Sequence, residues 1–110
     1  MSKVRETNDW LLTEEIAAAE PILVLFDASE GWKQTGTDTA FTAAAAQHEG
    51  PARFFRIDVD ENPSVAQVYR LKKLPSVLLF LDGKELSRRA GELQARDILD
   101  LLARKPKGAP

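Results

Sequence analysis

Which residues in this chain are able to do chemistry is decided first by what is missing. Cysteine is absent and histidine occurs once, as His48. No disulfide, thiol nucleophile, thiolate zinc site or cysteine-held iron–sulfur cluster is therefore available. A single histidine also supplies no histidine-based triad or metal site within one subunit. His48 falls near the end of an alanine-rich segment, where a surface cation suits a helix C-terminus. What remains is carboxylate. Asp58-Val59-Asp60-Glu61-Asn62 opens like a calcium-binding EF-hand loop, which needs glycine at its sixth position and glutamate at its twelfth. Those positions hold Pro63 and Tyr69, so the run is read as a strand end followed by a helix cap, and no metal is expected. Asp27, Ser29 and Glu30 form a second polar group. With no histidine near them in sequence and no phosphate-cradling glycine loop, they define no reaction class and are read as ordinary loop residues.

The chain of 110 residues has room for one domain, and its 44% hydrophobic and 29% charged content is that of a globular protein. Fifteen Lys and Arg against seventeen Asp and Glu leave a net charge of −2. That is not the basic surplus of a nucleic-acid module, so no nucleic-acid partner is expected. No stretch approaches the roughly 18 apolar residues of a membrane span, so no membrane association is expected either. The opening Met1-Ser2-Lys3-Val4-Arg5-Glu6 lacks the apolar run of a signal peptide, and a cytoplasmic chain is expected. Residues 1–104 read as one domain. Residues 105–110, with two prolines and no apolar anchor, read as a flexible tail.

These residues must be positioned by elements whose pattern is legible. Ile22 to Phe26 is a continuous apolar run, as in a strand buried on both faces. Ser76 to Leu81 is a second, and Asp82-Gly83 after it predicts a hairpin returning through Lys84 to Ala90. Arg53 to Val59 carries aromatic and β-branched residues and predicts a third internal strand, with a weak one at Lys3–Glu6. A helix capped by Asn8 or Asp9 runs through Trp10, Leu12 and Ile16 to Ala19, with Trp10 packing it onto the sheet; Pro21 follows. Further helices are predicted over Thr37–His48, from the Asn62-Pro63 start to Tyr69, and over about Ala95–Arg104. The expected class is α/β, a mixed central sheet of about five strands flanked by about four helices in the order β-α-β-α-β-α-β-β-α.

At this level the chain resembles the thioredoxin family, over nearly all of its length. The resemblance is carried by Ile22-Leu23-Val24-Leu25-Phe26-Asp27-Ala28, Arg56-Ile57-Asp58-Val59-Asp60-Glu61-Asn62-Pro63, Tyr69 through Ser76, Phe80-Leu81-Asp82-Gly83-Lys84 and Gly91, in that order. It implies the thioredoxin fold and a cis peptide bond before Pro75. The same resemblance marks what has been lost. Where thioredoxins carry a Trp-Cys-Gly-Pro-Cys loop, an ungapped alignment places Glu30-Gly31-Trp32-Lys33-Gln34, with Gly31 and Gln34 at the two cysteine positions. The acid buried in that strand in many thioredoxins aligns with Leu25, and Thr39 replaces the proline that kinks the second helix. A redox-inactive member is expected, with no catalytic residues and no cofactor.

What the resemblance leaves is the surface on which the family holds an extended polypeptide. The residue before the cis-proline pairs with a bound peptide in strand fashion, which here points to Leu74, with Pro75 beside it, Gly31, Trp32, Lys33 and Gln34 on one side and Gly91 and Glu92 on another. Trp32 in a polar loop suits an interface anchor, or alternatively a cover over the vacated pocket. The expected function is that of an adaptor or chaperone-type module binding another protein or an extended peptide segment; bacterial maturation chaperones, regulatory subunits and scaffolds are roles the resemblance brings with it. The alternatives are an enzyme with non-thiol chemistry near Asp27 or Glu30, and a structural homodimer.

Overall fold

The computed structural model describes residues 3–28 and 36–103. Five strands form one mixed sheet: β1 (Val4–Thr7), β2 (Ile22–Asp27), β3 (Arg53–Asp58), β4 (Ser76–Leu81) and β5 (Lys84–Ala90), in the spatial order β1-β3-β2-β4-β5. β1 and β2 pair with β3 in parallel, whereas β4 runs antiparallel to both β2 and β5. Four helices interleave: α1 (Asp9–Glu15), α2 (Thr37–Gln47), α3 (Ser64–Val68) and α4 (Ala95–Ala103). The element order is the expected one, and each predicted element is present.

β2 is the centre of the sheet, and all six of its residues are buried. Because strand side chains alternate between faces, β2 supplies two cores at once. Ile22, Val24 and Phe26 pack with Leu12 of α1 and Ile16 at its C-cap, Val65 of α3, and Phe55, Ile57, Leu78 and Phe80 of the flanking strands. Leu23 and Leu25 face the other way, against Phe41, Ala44 and Ala45 of α2 and Ile98 and Leu101 of α4. A fully buried Leu, Ile or Phe contributes roughly 1.5–3 kcal/mol, so neither layer of helices is dispensable. The β4–β5 turn is built as its sequence requires: Asp82 and Gly83 take φ of 53° and 81°, the left-handed pair of a two-residue hairpin.

Three local expectations are corrected. Trp10 does not pack onto the sheet; it is 81% exposed. Leu12 and Ile16, one turn apart, fix the inward stripe of α1, and Trp10 lies two residues from Leu12, on the opposite side of a helix with 3.6 residues per turn. The helix also stops at Glu15 instead of Ala19, because the N–H groups of Gly83 and Asp82 take the carbonyls of Ile16 and Ala18 at 2.9 and 3.1 Å. Asn62 does not cap α3, whose N-cap is Pro63 with no side-chain bond. Its amide instead donates to the Asp58 carbonyl (2.9 Å) and accepts the Asp9 N–H (3.0 Å), tying β3 to the start of α1.

The seven residues of α1 are too few to hold a helix unaided, so its start depends on Asn8, whose side-chain oxygen accepts the N–H groups of Trp10 and Leu11 at 3.0 and 2.9 Å. Asn8→Ala should lower the unfolding free energy by about 1 kcal/mol, read as a lower urea midpoint with an unchanged slope.

Candidate functional site

The antiparallel register of β2 and β4 sets Phe26 opposite Ser76, which brings the segment Lys73–Ser76 beside the end of the buried strand. The Leu74–Pro75 peptide bond is cis. Ser76 Oγ donates to the Lys73 carbonyl (2.5 Å), and the Pro75 carbonyl accepts the Gly91 N–H (2.8 Å). Leu74, Pro75, Gly91 and Glu92 are thus brought together. They are not equally presented: Pro75 and Gly91 are buried, Leu74 is half-buried and Glu92 is exposed. Apolar contact from this edge therefore comes from Leu74, not from Pro75. Among the described residues neither the N–H nor the C=O of Leu74 has a hydrogen-bond partner. Gly31, Trp32, Lys33 and Gln34, like Ser29 and Glu30, lie outside the described residues.

Two long-range ties hold this edge, and neither had a local signal in the sequence. Arg88 on β5 donates to the Tyr69 and Arg70 carbonyls at 2.9 and 3.1 Å and is itself held by Glu85 at 2.5 Å. That fixes the chain leading into Leu74 from a strand nearly twenty residues away. Thr37, buried at the start of α2, takes the Leu93 N–H on its hydroxyl at 3.5 Å, which anchors the chain leaving Glu92. Gly91 itself has φ of 98°, and a Cβ there would stand 3.6 Å from Lys73 Nζ, so the Lys73 side chain lies along it. Beside Glu92 a concave surface of about 500 Å³ opens between the first turns of α2 and the Leu93-Gln94-Ala95 segment, floored by Ala40 and Ala43.

Asp27 is the unexpected member. It is not a loop residue: it ends β2, is 2% exposed, and lies in register with Asp58, itself 5% exposed. Its Oδ1 accepts the Ala28 N–H (2.9 Å), but Oδ2 is buried without a partner among the described residues. Burial pushes this carboxyl above its ordinary value near 3.8; the Ala28 bond opposes the shift, and the negative charges of Asp38, Asp58 and Asp60 add to it. A concave surface beside Asp58 is lined by Glu6, Thr7, Asn8, Asp58, Glu61 and Asn62. The Asp58–Asn62 run is a turn that bonds to itself, with Asp58 Oδ1 accepting the Asp60 N–H (2.9 Å) and its carbonyl the Asn62 N–H (3.0 Å). Among the described residues no three carboxylates or histidines are placed to hold a metal ion. None of the described helices is long and apolar enough to cross a membrane.

With this geometry in view, the comparisons with known proteins agree on class. The profile of the thioredoxin family, described as Thioredoxin, matches residues 3–104, and the chain belongs to that family. Thioredoxins of Staphylococcus aureus, from strains MW2 and COL among others, are 34% identical over 58 residues. That stretch is 53% of this chain and 56% of the relative, so the chain spans about half the length of the curated relatives it matches. Two solved structures share the fold. A mutant thioredoxin from Halobacterium salinarum NRC-1 superposes with a TM-score of 0.79 at 22% identity, covering 97% of this chain and 93% of the other. Malassezia sympodialis thioredoxin gives 0.76 at 16% identity, covering 94% and 90%. This is a thioredoxin-fold chain with no cysteine, and hence with no thiol of its own for dithiol–disulfide exchange.

The Asp27 carboxyl makes a pH-dependent contribution of predictable sign. Its folded pKa lies above the unfolded one, so its contribution to stability is full below about pH 3.8 and is lost as pH rises through the folded value. Asp27→Asn, which cannot ionise, should gain stability relative to wild type between pH 4 and pH 7, measured as the difference in denaturation midpoint at each pH. A difference that stays flat over that range would show that Asp27 carries no such shift.

Proposed function

We propose that this chain is a non-enzymatic binding module that holds an extended segment of a partner protein along Leu74 and Glu92, with Trp32 and the neighbouring Gly31, Lys33 and Gln34 completing the surface. The observation that carries the reading is the main chain of Leu74. Its N–H and C=O are unpaired among the described residues, at a half-buried position next to buried Pro75, whose carbonyl accepts the Gly91 N–H. Unpaired main-chain groups at an edge are what a partner strand satisfies when it adds to a sheet. The family's thiol chemistry is unavailable to a chain without cysteine, and the scaffold that presents this edge is retained.

A second reading, an enzyme with non-thiol acid–base chemistry, has one observation in its favour: the buried Oδ2 of Asp27, without a partner among the described residues, and the raised pKa that goes with it. It stands second because nothing among the described residues sets a second acid–base group beside that oxygen.

The distinguishing experiment is affinity capture from host lysate with wild type and with a Trp32→Glu, Leu74→Arg double variant, matched first by circular dichroism and melting. Retention of a partner by wild type and a loss of about tenfold or more in the variant is the expected result. Equal retention by both would move the binding surface away from Leu74. No partner with either would count against the adaptor reading itself.

A further inference from the structure

Between Glu61 and Asp82 the chain has no acid, and the charge it carries there is Arg70-Leu71-Lys72-Lys73, which leads directly into Leu74. Arg70, Lys72 and Lys73 are exposed, and among the described residues none of them forms an ion pair. In a chain whose net charge is −2, this is a local surplus of cations at the candidate edge. The acids on adjoining elements do not cancel it. Glu85 is held by Arg88, Asp9 accepts the Ser64 hydroxyl and Glu15 the Thr7 hydroxyl. Asp60 and Glu61 precede α3, whereas Arg70 follows its far end. Glu14 and Glu92 remain, two exposed acids against three exposed cations.

The backbone at Arg70 adds an independent observation. α3 ends in the two bonds of a Schellman turn: the Leu71 N–H donates to the Ala66 carbonyl at 2.8 Å, and the Arg70 N–H to the Gln67 carbonyl at 3.2 Å. That turn holds Arg70 at a φ of 54°, the left-handed conformation for which glycine is the usual residue. Arginine there costs stability relative to glycine, and no side-chain contact of Arg70 among the described residues offsets it. Backbone strain that the fold itself does not offset is characteristic of positions that meet a ligand. An extended segment paired with the Leu74 main chain advances about 3.3 Å per residue, so its next residues run within reach of the Lys72 and Lys73 side chains. We propose that the segment held along Leu74 is acidic, its Asp or Glu residues pairing with Lys72 and Lys73 and, further out, with Arg70. The proposal deepens the adaptor reading and rests on it: Leu74 supplies the pairing and the three cations the selection.

Selection of displayed random peptides of about twelve residues on the full chain, and in parallel on Leu74→Gln, tests it. The expected outcome is a set of peptides that need Leu74 and are enriched in Asp and Glu. One of them, made synthetically, should lose affinity at least about tenfold in the Lys72→Glu, Lys73→Glu double variant, and should weaken strongly between about 20 and 500 mM salt. Glu92→Lys should tighten it. Arg70→Gly should raise the urea midpoint, because glycine relieves the left-handed strain, and yet weaken the peptide about threefold; a substitution that only damaged the fold would lower both. Peptides that need Leu74 but show no acidic bias, or an affinity indifferent to the Lys72 and Lys73 exchange, overturn the proposal and leave the adaptor reading standing. An oligonucleotide of about twelve nucleotides that displaces the peptide at equal concentration makes the surface a general polyanion site and also overturns it. If no selected peptide depends on Leu74, the adaptor reading falls and this proposal with it.

Discussion

The burial of β2 on both faces and both edges is the constraint from which the rest of this structure follows. A strand with six buried residues has no outlet for a charge, pairs on one side in parallel with β3 and on the other in antiparallel with β4, and must be covered by helices above and below. Its parallel neighbour brings the end of β3 level with its own end, so Asp27 and Asp58 come side by side. Its antiparallel neighbour brings the start of β4 to the same place, so Pro75 and Ser76 arrive there too. The candidate site is the meeting point of strand ends that β2 alone aligns.

The polar groups at that point have few partners. Leu25, which the resemblance aligns with the buried acid of many thioredoxins, is packed in the α2–α4 core. Asp27 lies two residues on, and strand periodicity puts it on the same face. The carboxyl at the strand's end keeps one hydrogen bond to its own neighbour and leaves Oδ2 unpaired among the described residues. Nothing among the described residues neutralises it. Arg56, the cation on the adjoining strand, is engaged by Asp38 at 2.7 Å. A carboxyl kept buried under those terms is destabilising once it ionises.

Much of this was legible from residue patterns, for reasons that differ by element. Ile22–Phe26 and Ser76–Leu81 announce themselves because a strand buried on both faces has no polar alternation to confuse. Asp82-Gly83 does so because few residue pairs accept two left-handed conformations in succession. Trp10 misleads by its bulk: size suggests a core residue, but the i, i+4 pair Leu12 and Ile16 already fixes the helix's inner stripe and excludes it. Asn62 misleads by its type, a cap residue whose amide is spent on Asp58 and Asp9 instead. The ties from Arg88 and Thr37 that hold the candidate site were not legible at all, because each joins segments that only the finished sheet brings together.

The hairpin tip that closes over α1 links two parts of the molecule that are far apart in sequence. The carbonyls left open at the end of that helix are taken by the N–H groups of Asp82 and Gly83, over sixty residues later. A seven-residue helix begun by one asparagine and ended by a distant turn has no stability of its own to draw on. During synthesis, therefore, α1 leaves the ribosome early yet cannot settle until β4 and β5 have paired. In the finished protein any opening of the β4–β5 turn also releases the far end of α1, so the two should exchange their amide protons as one cooperative unit.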